Sequence, residues 1–119
     1  MTVINSKRQR KLVTRESIRT MLRNPNPRYV ENVVGRALVA LLQRQTKDEQ
    51  RANDTRENNG VGFSGCDGRS GTLTAKTFIR DGKLLDWQVA RWTKSQKNGY
   101  PRLAKYAKQL NEIALEKGA

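Results

Sequence analysis

The sequence predicts an all-α fold: a small single domain of five to six helices behind a basic N-terminal arm. Three observations carry this. No stretch alternates apolar and polar residues as a half-buried strand does. Apolar residues recur instead at i, i+3 and i+4 in several separate segments. Turn formers such as Asn24-Pro25-Asn26-Pro27 and Asn98-Gly99 divide those segments where helices start and stop. A length of 119 residues sets the expectation at one domain.

Residues 1–13 form the arm. They hold Lys7, Arg8, Arg10 and Lys11 and no acid. A run of like charge without periodicity predicts a solvated, disordered segment. It is either an inert tail or an arm that orders on phosphate.

The helical domain is expected over 14–119. Thr14 is placed to cap a short helix over 14–23, with Glu16 in its first turn and Ile18, Met21 and Leu22 on one stripe. Arg15, Arg19 and Arg23 repeat every four residues on another stripe. Asn26-Pro27 reads as an N-cap followed by proline at the first helical position. Val30, Val33, Val34, Ala37, Leu38 and Leu41 then mark the central core helix. Gly35 within it points to the close approach of another backbone. A capping-box pattern at Thr46–Glu49 predicts that this helix ends or restarts there.

Residues 46–65 are a polar, then glycine-rich connector, whose polar part 46–59 reads as a solvated helix or a linker. The glycines lack a phosphate-loop fingerprint and follow no strand, so they read as a turn. A helix is expected over 66–80, stopped by Gly82. Asp86 is expected to cap a helix over 87–97. Pro101 opens the last helix, whose apolar face is Leu103, Tyr106, Ala107, Leu110, Ile113 and Ala114.

Composition excludes several function classes. There are 24 Lys and Arg against 11 Asp and Glu, a net charge of +13, which places a polyanion first among partners. No histidine is present for an acid–base pair, a triad or a zinc site. The single cysteine, Cys66, forms no intrachain disulfide and lacks a histidine base, so it reads as a buried structural thiol. Asp67, Asp81 and Asp86 are explained as caps or first-turn residues, as are Asp48, Glu49 and Asp54. No catalytic residue, metal ligand or cofactor is therefore assigned, and the expected protein is not an enzyme. No apolar run, that around Leu38–Leu42 included, approaches the ~20 residues of a membrane span, so no membrane partner is expected. No apolar stretch follows the basic N-terminus as in a secretory signal.

The candidate nucleic-acid-binding residues fall in two groups. One is the arm, Lys7, Arg8, Arg10 and Lys11. The other spans 91–108, where Arg91, Lys94, Lys97, Arg102, Lys105 and Lys108 stand with no acid among them. A solvated surface usually mixes signs, so a one-sign stretch favours polyanion contact. Trp87 shares a helical face with Arg91 and Lys94, opposite Trp92. Trp92 is expected in the core. Trp87 either buries against a neighbour or offers a stacking surface between cations, which suits a single strand.

Three motifs stand in the C-terminal half. They are Asn59-Gly60-Val61-Gly62-Phe63-Ser64-Gly65-Cys66-Asp67, Gly82-Lys83-Leu84-Leu85-Asp86-Trp87-Gln88, and Lys105-Tyr106-Ala107-Lys108-Gln109-Leu110-Asn111-Glu112-Ile113-Ala114. Together they resemble N-G-[VI]-G-F-x-G-x-D, G-[RK]-x-L-[ST]-x-[KR]-Q and K-Y-x-x-Q-L-x-x-I-A in small proteins encoded by bacteriophages and plasmids. Similar modules are appended to phage helicases and DNA-replication proteins. The resemblance covers about residues 37–115. It implies a mobile-element origin, the cytoplasm of a bacterial host and a setting near DNA, but no reaction. Leu85 stands where the family has a capping Ser or Thr, and Trp87 where it has Lys or Arg.

These readings converge on a non-enzymatic nucleic-acid-binding accessory protein, with single strands favoured over duplex. The alternative is a protein that modulates a host nucleoprotein enzyme, such as a nuclease or CRISPR complex.

Overall fold

The computed structural model describes residues 12–52 and 62–118. The expected arm cations therefore lie outside the described residues, as do residues 53–61 of the expected connector. Five α-helices are present among the described residues: α1 Arg15–Leu22, α2 Pro27–Ala52, α3 Gly68–Asp81, α4 Asp86–Thr93 and α5 Ala107–Gly118. Two 3₁₀ turns, Gly65–Asp67 and Arg102–Tyr106, lead into α3 and α5. The all-α expectation holds; the sole strand-like feature among the described residues is an isolated bridge between Ser95 and Pro101.

Local chemistry explains the element ends. Thr14 accepts from the Ser17 amide at 3.0 Å, while Ser17 Oγ accepts from the Thr14 amide at 2.8 Å. This reciprocal cap starts α1. Asn26 Oδ1 accepts from the Arg28 amide at 3.0 Å, just ahead of Pro27 at the head of α2. Gly82, at φ 68°, closes α3 with its amide on the Phe78 carbonyl.

Several boundaries differ from expectation. The central helix runs on to Ala52 instead of breaking at Thr46. Helix α4 begins one residue earlier and stops at Thr93, four residues early. Leu85, and not the expected Asp86, is its N-cap, and the buried Gln88 accepts from the Leu85 amide at 2.9 Å. Beyond α4, residues 94–101 form a turn held by Gln96 N–H to the Tyr100 carbonyl and Gly99 N–H to the Gln96 carbonyl, both at 2.9 Å, with Gly99 at φ 85°. That turn absorbs the residues expected to continue α4. The last helix is split, with 3₁₀ geometry through Tyr106 and α geometry after it.

The core gathers on α2. Val34, Leu38 and Leu41 are fully enclosed, and Ile18, Ala75, Trp92 and Leu103 close over them. Burying one such leucine or isoleucine contributes about 1.5–3 kcal/mol. Phe63, Trp92 and Tyr106 form an aromatic triad with ring centroids 5.9–6.4 Å apart. Gly35 admits the Phe78 ring, where an added Cβ would lie 2.3 Å from the ring. The close approach is thus a side chain, not the backbone expected. Leu110, on the expected apolar face of α5, is partly buried against this core.

Candidate nucleic-acid interface

The candidate interface is organised around one buried carboxylate. The 3₁₀ turn Gly65–Asp67 directs Asp67 inward, where it is fully enclosed. Tyr106 Oη donates to Asp67 Oδ2 at 2.5 Å. Arg102 donates from Nε and Nη2 to Oδ1 at 2.8 and 2.5 Å, and Lys105 Nζ lies 3.0 Å from Oδ2. The 3₁₀ repeat of three residues per turn superposes Arg102 and Lys105, so both reach the same group. Burial pushes the Asp67 carboxyl up, but the bonds from Tyr106, Lys105 and Arg102 outweigh it and hold the group below its usual range. Burial and the Asp67 bond both push the Tyr106 hydroxyl up.

The sequence treats Arg102 and Lys105 as free, solvent-facing cations. The structure corrects this: both are engaged by Asp67, and together the three groups leave one net positive charge. Asp67 itself was taken for a turn or cap residue. Its signal was its isolation, as the only acid between Glu57 and Asp81.

Cys66 is exposed, not buried as expected. Asp67 takes the inward place in the tight turn, leaving its neighbour outside. Cys66 Sγ lies 3.7 Å from Ser64 Oγ, 3.8 Å from Lys105 Nζ and 3.9 Å from Arg102 Nη2. The Ser64 hydrogen bond lowers the thiol pKa; Lys105 and Arg102 add to this against the opposing charge of Asp67.

From this centre a row of cations runs in two directions. Toward α4, the guanidinium carbons of Arg102 and Arg91 lie 5.9 and 6.0 Å from the centre of the buried Trp92 ring, so both cations pack against the same indole. One helical turn before Arg91 stands Trp87, 59% exposed. Toward α5, Lys108 follows Lys105 by three residues and is exposed. Lys108 shares a groove with Arg15 of α1. Trp87, Arg91, Arg102, Lys105, Lys108 and Arg15 are together called the track below.

Lys94 and Lys97 are exposed, but they sit in the 94–101 turn and not on a helix. Tyr100 holds this turn to α1, donating to Glu16 Oε2 at 2.5 Å, with the Arg19 guanidinium 4.5 Å from its ring centre. The hydrogen bonds from Tyr100 and Arg19 lower the Glu16 pKa. Among the described residues Arg91, Lys94, Lys97 and Lys108 form no salt bridge. Arg15 is absent from the sequence-predicted candidates, although its four-residue spacing with Arg19 and Arg23 is a visible signal.

Lys7, Arg8, Arg10 and Lys11 lie outside the described residues. The segment that follows them is anchored beside the track, where Val13 N–H donates to Asn111 Oδ1 at 2.8 Å, one turn beyond Lys108.

The glycine-rich stretch serves the fold. Gln109 accepts from the Gly62 amide at 2.7 Å and donates to its carbonyl at 2.9 Å. Gln45 accepts from the Phe63 amide at 3.0 Å, and Tyr106 Oη from the Ser64 amide at 3.1 Å. These amides are bound by side chains and are not turned out as a phosphate cradle. Among the described residues no three of Cys, Asp and Glu are grouped to hold a metal ion. No described helix is long and apolar enough to cross a membrane. No protein family, curated protein or solved structure matches the chain.

Proposed function

We propose that this chain is a non-enzymatic nucleic-acid-binding accessory protein that neutralises phosphates along the track from Arg91 to Arg15. The observation that carries the reading is the unpaired state of Arg91, Lys94, Lys97 and Lys108 among the described residues, around a centre that keeps one net positive charge. The fixed helix and turn positions of these cations reduce the ordering cost of binding. The resemblance of its three motifs to phage and plasmid proteins supports a mobile-element setting in a bacterial cytoplasm.

Cys66 provides the test, because it is exposed midway along the track. Its alkylation by neutral iodoacetamide is followed with and without an oligonucleotide. The expected result is several-fold protection at low salt, reversed as salt releases the complex. Absence of oligonucleotide binding at low salt overturns the proposal, and binding without protection moves the contact away from the track.

One observation favours the second reading, a protein that modulates a host nucleoprotein enzyme. Leu73, Ile79 and Leu85 are 54–60% exposed, and exposed apolar side chains among cations suit a protein partner.

A further inference from the structure

We infer that the track is built for single-stranded nucleic acid, with an unpaired base stacking on Trp87; this rests on the nucleic-acid reading proposed above. The two tryptophans of the chain stand five residues apart on one short helix with opposite fates. Trp92 is fully enclosed, and Trp87 is 59% exposed. Leaving a large aromatic side chain in water forgoes burial worth several kcal/mol at ~25 cal/mol per Å². A ring this exposed does not complete the core, which leaves Trp87 out.

Its surroundings specify the ligand. Arg91 lies one turn along α4, and Lys83 is exposed in the turn before the helix. Beyond Arg91 the track continues through Arg102, Lys105 and Lys108. An indole face at one end of a row of cations matches the chemistry of an unpaired strand, which offers a free base face and a line of phosphates. A duplex offers the phosphates but keeps its base faces stacked, so the Trp87 ring gains nothing from it. Asp86 in the first turn of α4 is the one carboxylate beside Trp87 in sequence, and it opposes simple attraction of phosphate to that spot. The contact at Trp87 is therefore assigned to the base, and the phosphates to Arg91 and the cations beyond it.

Trp87 reports on itself, since the enclosed Trp92 responds little to a surface ligand. Tryptophan emission and fluorescence anisotropy are measured with an oligothymidylate and with a duplex carrying the same number of phosphates. The expected result is quenching by the single strand and none by the duplex. Trp87→Ala is expected to weaken single-strand binding by roughly 5- to 150-fold, leave duplex binding within about twofold, and leave the melting transition unchanged. Trp87→Phe is expected to restore most of the single-strand affinity. Single-strand binding without quenching, or equal weakening on both ligands, overturns the inference while leaving the phosphate track standing. Failure of both ligands to bind at low salt overturns both the inference and the nucleic-acid reading. Quenching by a host protein instead of the single strand assigns the Trp87 and Leu85 surface to a protein partner, and likewise overturns it.

Discussion

Tyr106 and Asp67 join two sequence motifs across 39 residues, the tyrosine hydroxyl donating to a carboxylate closed off from water. The contact sits between the hydrophobic core and the cationic surface. The ring of Tyr106 packs edge-on against Phe63, while the other partners of Asp67 are Arg102 and Lys105. One carboxylate thus serves stability and also lowers the charge available to a ligand.

Asp67→Asn separates those two roles. Removing one partner from a buried ion pair costs about 3–5 kcal/mol, and partial exposure of Arg102 and Lys105 moves the expectation to the lower end. The released cations are expected to steepen the salt dependence of nucleic-acid binding by up to about one unit of log K against log salt. Urea melts and anisotropy titrations on the same variant check both effects. A less stable protein with an unchanged slope shows that the centre does not contribute to the interface.

Acid sensitivity follows from the same group. The folded-state pKa of Asp67 lies below its ordinary value of 3.8. Its contribution to stability is therefore present above that value and is lost as pH falls through the lower, folded-state one. Urea melts between about pH 6 and pH 2.5 are expected to show this loss below about pH 4, and Asp67→Asn is expected to flatten that limb of the curve.

Gly35→Ala is expected to destabilise the fold despite its better helix propensity. The added methyl meets the Phe78 ring at 2.3 Å, and overpacking of this kind costs about 1–3 kcal/mol. The propensity gain of about 1 kcal/mol offsets only part of that. Thermal melts of Gly35→Ala, Phe78→Leu and the double variant form a cycle. A favourable coupling in the double variant is expected, since the smaller side chain makes room for the methyl.

The free cations are tested together by Arg91→Glu, Lys94→Glu and Lys108→Glu in one chain. All three residues are exposed and outside any described salt bridge, so the fold is expected to persist. The salt slope on single strands is expected to flatten by roughly 2 units, at about 0.7 per lost phosphate contact. Replacing Lys7, Arg8, Arg10 and Lys11 by alanine measures the share of the N-terminal segment in the same assay. A triple variant that binds as tightly as the unaltered protein shows that these side chains are only a solvated face.

The helices were largely legible because their signals are local. Thr14 with Ser17, Asn26 with Pro27 and Gly82 each act within a few residues, and each ends an element where expected. The central stripe of Val34, Leu38 and Leu41 was equally readable, because a helix this apolar has to be covered. What failed depended on residues far apart. Nothing local to Arg102 or Lys105 reveals that Asp67 lies beneath them, 35 and 38 positions back. The early end of α4 depends on Ser95 meeting Pro101 and on Tyr100 reaching Glu16, an 84-residue separation. The state of Trp87 was left open between burial and exposure, and only the assembled surface shows the ring in solvent. The change from 3₁₀ to α geometry at Tyr106 was also missed, because both helices accept the same apolar spacing over so short a stretch.

The bonds from Tyr100 to Glu16 and from Arg19 to Gly99 span 84 and 80 positions. They set a schedule for a chain made from one end. Translation at about 5–20 residues per second leaves α1 waiting roughly 4–17 s for these partners to be synthesised. In that interval α2 is already available, but the residues that fasten α1 on its other side are still in the ribosome. Ile18, fully enclosed in the finished protein, is then covered on one flank only. A nascent chain stalled before residue 99 presents that stripe to whatever is nearby. The synthesis of Gly99 and Tyr100 therefore decides when α1 stops being sticky.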